Sequence, residues 1–244
     1  MTHHTLTGRT ANEVLWHERR DVIKAAAAWM AAGALPAALA QQRSNIVQQV
    51  GDVLLNGAQL RSEQVIQAGD SLRTGPGSNL IFTMGNASFL MRQNTTMTVE
   101  RGATLSAVSV LRLVQGAVAS VWNKGASRSI VTPTLTAGIR GTGVYTEVLP
   151  EQDNRTYFCN CYGTVDLTAG GVEIVSEAQY HQAFWSTTQG APLTPAGAIN
   201  HTDEELEFLA RLIGQRTAWQ ISGVKGIKDS SGRVRAAPYN AGGN

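Results

Sequence analysis

Charge is scarce in this chain. Lys, Arg, Asp and Glu make up 16% of its 244 residues, against roughly a quarter in an average globular protein. Net charge is only +2, and no basic stripe interleaved with aromatics occurs, so no nucleic-acid partner is implied. Cysteine is scarcer still, with two residues, Cys159 and Cys161. A disulfide across one intervening residue would close too small a loop to stabilise much, because that effect grows with loop length. Also missing are C-x-x-C-H, a nucleophile elbow, H-E-x-x-H and any paired-carboxylate motif. Their absence removes haem attachment and the common hydrolases, and leaves a non-enzymatic reading. Asp153, Asp166 and Glu173 are scattered, as solvated turns or strand faces would be. No helical period appears between Ile46 and Trp185.

What is present fits an all-β protein. Hydrophobic residues make up 43% and there are 25 glycines, enough for a core and many turns. The length suits one domain with extensions, or two small ones. From residue 45 to 190, short strands alternate with turn residues. Asn56-Gly57 is a strong short-range turn signal. Leu80, Phe82 and Met84 alternate with Ile81 and Thr83 in the period of two expected of a strand. Turns recur at the spacing of a β-sandwich or a β-solenoid, and the pattern leaves both open.

The first forty residues read as an export signal. Arg19 and Arg20 precede an uncharged run from Ala25 to Ala40 that ends in Ala38-Leu39-Ala40, an A-x-A cleavage site. Sixteen Ala-rich residues fall short of the about 20 that a membrane span needs. The paired arginines look like a twin-arginine signal, although Glu18 and Val22 depart from its usual pattern. An ordinary secretory signal or an uncleaved anchor is the alternative. The expectation is a periplasmic protein, touching membrane only if the signal segment is kept.

The middle of the chain carries a family likeness. Val131-Thr132-Pro133 ends one strand with a residue that cannot donate to a ladder. Ile139-Arg140-Gly141-Thr142-Gly143-Val144-Tyr145 then places glycines inside a strand pattern, which marks a bulge or a close backbone approach. V-T-P followed by R-G-T-x-V, on Thr132, Pro133, Arg140, Gly141 and Thr142, resembles the signature of the FecR domain. Gly51 to Val53, Ile66 to Gly75, Leu113 to Val118 and Tyr162 to Leu167 look like that family's other segments, in order, over about half the chain. The resemblance implies an extracytoplasmic β-rich module for binding or signalling, with a partner protein, an envelope polymer or a small ligand as its target. FecR regulators also carry a cytoplasmic anti-sigma segment before a membrane span and a receptor-contacting segment after the domain. Neither pattern is found here, so the expectation is a stand-alone module.

Cys159 and Cys161 carry the most distinctive chemistry. In a strand they project from one face, with Cα atoms about 6.5–7 Å apart, at the long edge for an unstrained disulfide. Two thiols on one face suit a soft or borderline metal ion, or a reducible pair. His181 and His201 are the further ligands that a single transition-metal ion would recruit. Cys2His2 is a common zinc set, though the spacing matches no standard finger. The alternative function is therefore metal binding or thiol redox chemistry. Inert, locally structural thiols are the third possibility.

Thr202-Asp203-Glu204-Glu205 reads as a capping box that opens a helix over 200–214. Leu206, Leu209, Leu212 and Ile213 give that helix an apolar stripe, and Gly214 stops it. The helix is expected to close the β module, or to dock on a partner. From 222 to 244 the composition is that of a disordered tail.

Overall fold

The computed structural model describes residues 44–101, 108–125 and 128–226. The leader of 1–40, with Arg19, Arg20, Ala38 and Ala40, lies outside the described residues, as does the tail beyond 226. No helix among the described residues is long and apolar enough to cross a membrane.

Among the described residues, fifteen strands are followed by two α-helices. In chain order the strands are β1 (Ile46–Val50), β2 (Val53–Leu55), β3 (Ala58–Gln59), β4 (Ser71–Thr74), β5 (Asn79–Met84), β6 (Ala87–Met91), β7 (Thr96–Arg101) and β8 (Val108–Trp122). They continue as β9 (Arg128–Val131), β10 (Thr136–Ile139), β11 (Gly143–Leu149), β12 (Arg155–Ala169), β13 (Val172–Ala178), β14 (Gln182–Ser186) and β15 (Leu193–Ala196). The helices are α1 (Asp203–Leu212) and α2 (Ala218–Ser222). The all-β expectation holds, and of its two alternatives the structure is the sandwich.

The two sheets share their longest strands. One sheet runs β1-β5-β6-β8-β11-β12-β14-β15. The other runs β3-β2-β4-β7-β8-β9-β10-β12-β13, with β8 and β9 running parallel. The 15-residue β8 and β12 leave one sheet and enter the other part-way along. Each changes sheet at a glycine with positive φ, Gly116 at 78° and Gly163 at 96°. A Cβ at Gly116 would lie 2.6 Å from the Thr95 Cα, so only glycine lets the strands come this close.

The period of two sorts side chains onto two cores. Phe82, Phe89, Trp122, Val144, Phe158 and Phe184 face into the sandwich, where they meet Leu72, Met97, Leu111 and Leu167 of the opposite sheet. Their neighbours on the first sheet, including Ile81, Leu90, Ala119, Tyr145, Tyr157 and both cysteines, point the other way and form a second cluster under the helices. That sheet is thus the middle of three layers. Leu206 and Leu209 of α1 are fully buried against it, each worth about 1.5–3 kcal/mol.

Several local expectations hold. Asn56 and Gly57 take φ of 53° and 83° and join β2 to β3, as a tight hairpin turn requires. β9 ends at Val131, just before Thr132-Pro133, and the β11–β12 register slips at Gly143/Val144. Thr202 caps α1 and makes the reciprocal capping box with Glu205. Residues 222–226 depart from the expected tail. A second short helix ends at Ser222, and Lys225 reaches back to Asp203.

Candidate metal centre

Cys159 and Cys161 lie two apart on β12 and face the helical layer, both fully buried and neither in a disulfide. The β12–β14 ladder delivers the first histidine. His181 immediately precedes β14, and its backbone N–H donates to the Cys161 carbonyl at 2.9 Å. Its φ is 26°, a conformation that a non-glycine residue keeps only when its surroundings dictate it. The second histidine comes from the helix. His201 directly precedes the Thr202 cap, so the capping box that starts α1 also aims the His201 ring at the sheet.

The four side chains, expected from sequence only as candidates, converge. Each offers one ligand atom, and these atoms lie within 4.8 Å of one another. The two sulfurs are 3.8 Å apart. Cys159 Sγ is 3.5 Å from His181 Nδ1, and Cys161 Sγ is 3.5 Å from His201 Nε2. The two ring nitrogens are 3.1 Å apart. A tetrahedral zinc ion with ordinary bond lengths would require edges of about 3.8 Å (S···S), 3.6 Å (S···N) and 3.3 Å (N···N). These four edges are close to that set, and the two remaining S···N separations stay within 4.8 Å. The separations also fit one ion rather than a cluster of two.

Hydrogen bonds behind the rings decide which nitrogens are free. His181 Nε2 lies 2.9 Å from Asp203 Oδ1 and His201 Nδ1 lies 2.6 Å from the Ile199 carbonyl. A carboxylate and a carbonyl only accept, so each takes the ring N–H. In the neutral form of both rings, the remaining nitrogens, Nδ1 of His181 and Nε2 of His201, present lone pairs to each other and to the sulfurs. Such an arrangement calls for a cation at its centre, and the partners behind the rings are those that orient metal ligands.

Without an ion, the same contacts favour a thiolate beside a protonated imidazole, against the effect of burial. Burial alone would push the Cys159 thiol up, but its hydrogen bonds with Cys161 and the histidines, together with the His201 charge, bring it well below its ordinary value. Burial likewise would lower His181, yet the bonds to Asp203 and Cys159 raise it. Asp203 is itself held by Tyr180 Oη at 2.9 Å and Lys225 Nζ at 2.7 Å. Tyr145 stacks on His201 with ring centres 4.7 Å apart, and Trp219 stacks on His181 at 5.3 Å. Burial also holds the Tyr157 phenol above its ordinary range, so it stays a donor, to the Gly197 carbonyl. The aromatic shell keeps water from the cluster.

Sequence reasoning missed this surrounding shell. Asp203 reads only as part of the capping box, and Tyr145 only as the end of the glycine-rich motif. The spacing His201-x-Asp203 was the one available signal. The family-motif residues are not at the site. Thr132 Oγ1 accepts from Leu135 N–H at 3.0 Å and Thr156 Oγ1 at 3.1 Å, building the turn at Pro133. Arg140 is exposed and pairs with Asp166 through Nε and Nη2 at 2.7 and 2.9 Å. Gly141 has φ 95° and packs on the Lys124 backbone, while Thr142 is buried.

No family profile matches the chain, and no curated protein matches it. Two solved structures share part of its arrangement, both of a candidate anti-sigma factor from Parabacteroides distasonis. The first is 9% identical with a TM-score of 0.44, covering 53% of this chain and 60% of its own. The second is 9% identical with a TM-score of 0.45, covering 59% of this chain and 65% of its own. The chain thus spans under two thirds of the length of either.

Proposed function

We propose that this protein is a non-catalytic, FecR-like β module built around one divalent metal ion, held by Cys159, Cys161, His181 and His201. The observation that carries this reading is the convergence of two thiols and two imidazole nitrogens within 4.8 Å of one another, with four of their separations near those of a tetrahedral site. Two thiolates balance a 2+ ion, so the filled site is neutral. Its surroundings are balanced too, with Asp203 against Lys225. Four protein ligands leave no open position, which is the pattern of structural rather than catalytic zinc. The site accordingly favours metal binding over thiol redox work. Recognition of an envelope protein, polymer or small ligand then falls to the β module, in an exported protein, on the strength of the leader and the V-T-P…R-G-T motif.

Elemental analysis of the full chain purified under reducing conditions tests the metal. One equivalent of zinc is expected, lost in the double variant Cys159→Ser, Cys161→Ser. Cobalt(II) in its place should give the intense visible bands of a tetrahedral site and a near-ultraviolet sulfur-to-metal absorption. A metal-free protein that takes up neither ion would refute the proposal.

A further inference from the structure

The ligands do not all belong to one part of the chain. Cys159, Cys161 and His181 ride on paired strands of the middle sheet, whereas His201 is attached to the start of α1. We infer that metal occupancy decides whether the segment 199–226 stays docked, so that the ion acts as a bolt for a cover over the middle sheet. This rests on the metal reading above and deepens it.

Three observations carry the inference. First, the cover cannot support itself. α1 has ten residues and α2 five, and isolated helices below about 12–15 residues are marginal in water. Second, the cover is anchored at the α1 start largely by polar groups. Asn200, His201, Thr202, Asp203 and Glu205 are all buried, and their partners include Glu147 of β11, His181 and Arg92, which follows β6. Buried polar groups hold a structure only while fully satisfied. Third, His201 Nε2 lies 3.5 Å from Cys161 Sγ and 3.1 Å from His181 Nδ1, so an ion held there ties the cover directly to the sheet. The β12–β14 ladder fixes Cys159 and, just ahead of its first pair, His181. His201 hangs from a short link in which Asn200 already takes φ 61°, so His201 is the ligand free to retreat. Retreat of α1 would uncover Ile81, Leu90, Ala119 and Tyr145, an apolar face that the helix shields. The opposing influence is the burial of Leu206, Leu209 and Leu212 together with the Arg92–Glu205 pair, which would keep the helix down without metal.

Hydrogen–deuterium exchange on the full chain, metal-loaded and then chelated under reducing conditions, decides between them. Amides of 203–212 should exchange at least about tenfold faster after chelation, while those of 108–115 and 164–169 in the outer sheet stay protected, as for a local opening. Zinc should restore protection. Asp203→Asn, which loosens His181 but keeps the helix, should shift the zinc concentration needed for protection upward by about 10–100-fold. Equal protection of α1 with and without bound zinc would overturn the inference and leave the metal reading standing. Exchange that rises equally in every strand would overturn it too, because the ion would then hold the whole fold rather than a cover. A chain that binds no metal at all would overturn both.

Discussion

Gly163 illustrates how much hangs on single residues. It sits where β12 passes from one sheet to the other, and a Cβ there would lie 2.8 Å from the Gly141 carbonyl oxygen and 2.7 Å from Thr142 Cγ2. Its φ of 96° adds a conformational cost for any other residue. Gly163→Ala should therefore destabilise by about 3 kcal/mol, combining strain with overpacking. Gly171 has a similar φ of 81° in the β12–β13 turn, but a Cβ there would meet nothing within 4 Å. Gly171→Ala should cost only about 1 kcal/mol. Denaturant midpoints of the two variants separate backbone strain from close packing at the sheet crossing. The four ligands are residue-scale choices of the same kind, since each is positioned by a bond its own backbone or ring makes to a neighbour.

At the scale of elements, α1 is joined to the sheet by a buried ion pair. Arg92 Nη2 donates to Glu205 Oε1 and Oε2 at 2.7 and 2.8 Å and to the Asn200 carbonyl at 3.1 Å. Burial pushes the Glu205 carboxyl up, against the pull of Arg92 and the Thr202 N–H, and the net direction is upward. The pair thus offsets its own desolvation only in part. Glu205→Ala should cost about 3–5 kcal/mol by stranding the guanidinium. The double replacement Arg92→Met, Glu205→Leu should cost clearly less than that single change, apart from about 1 kcal/mol for the lost cap. Thermal unfolding of both variants provides the comparison. Ser88 Oγ, which donates to the Leu209 carbonyl at 2.7 Å, and the small Ala117 and Ala119 beneath the helix explain why α1 lies so close to the sheet.

For the whole molecule, β8 and β12 make the two sheets one cooperative unit, because neither sheet can lose its long strands without the other. The metal belongs to the third layer and acts on this unit by mass action. Zinc at a hundredfold above its dissociation constant should add about 2.7 kcal/mol to stability and raise the melting temperature accordingly. Calorimetric scans across a zinc series check this, and a melting temperature indifferent to zinc would contradict the metal centre.

Local rules were enough for a good part of this. A period of two wrote the strands and put Cys159 and Cys161 on one face. Asn56-Gly57 and the Thr202–Glu205 box needed only their neighbours, because turn and cap chemistry acts over a few residues. The glycines of Arg140 to Val144 announced the register slip for the same reason. Tertiary structure alone chose the sandwich over the solenoid, since both use the same short strands and differ in which strand each one pairs. It alone brought His181 and His201 to the cysteines, across 20 and 40 residues, through the β12–β14 register and the docking of α1. It also turned Asp203, a first-turn acid by sequence, into the residue that orients a ligand. Ligand identity was local chemistry, and convergence was a matter of long-range pairing that no stretch of this sequence encodes by itself.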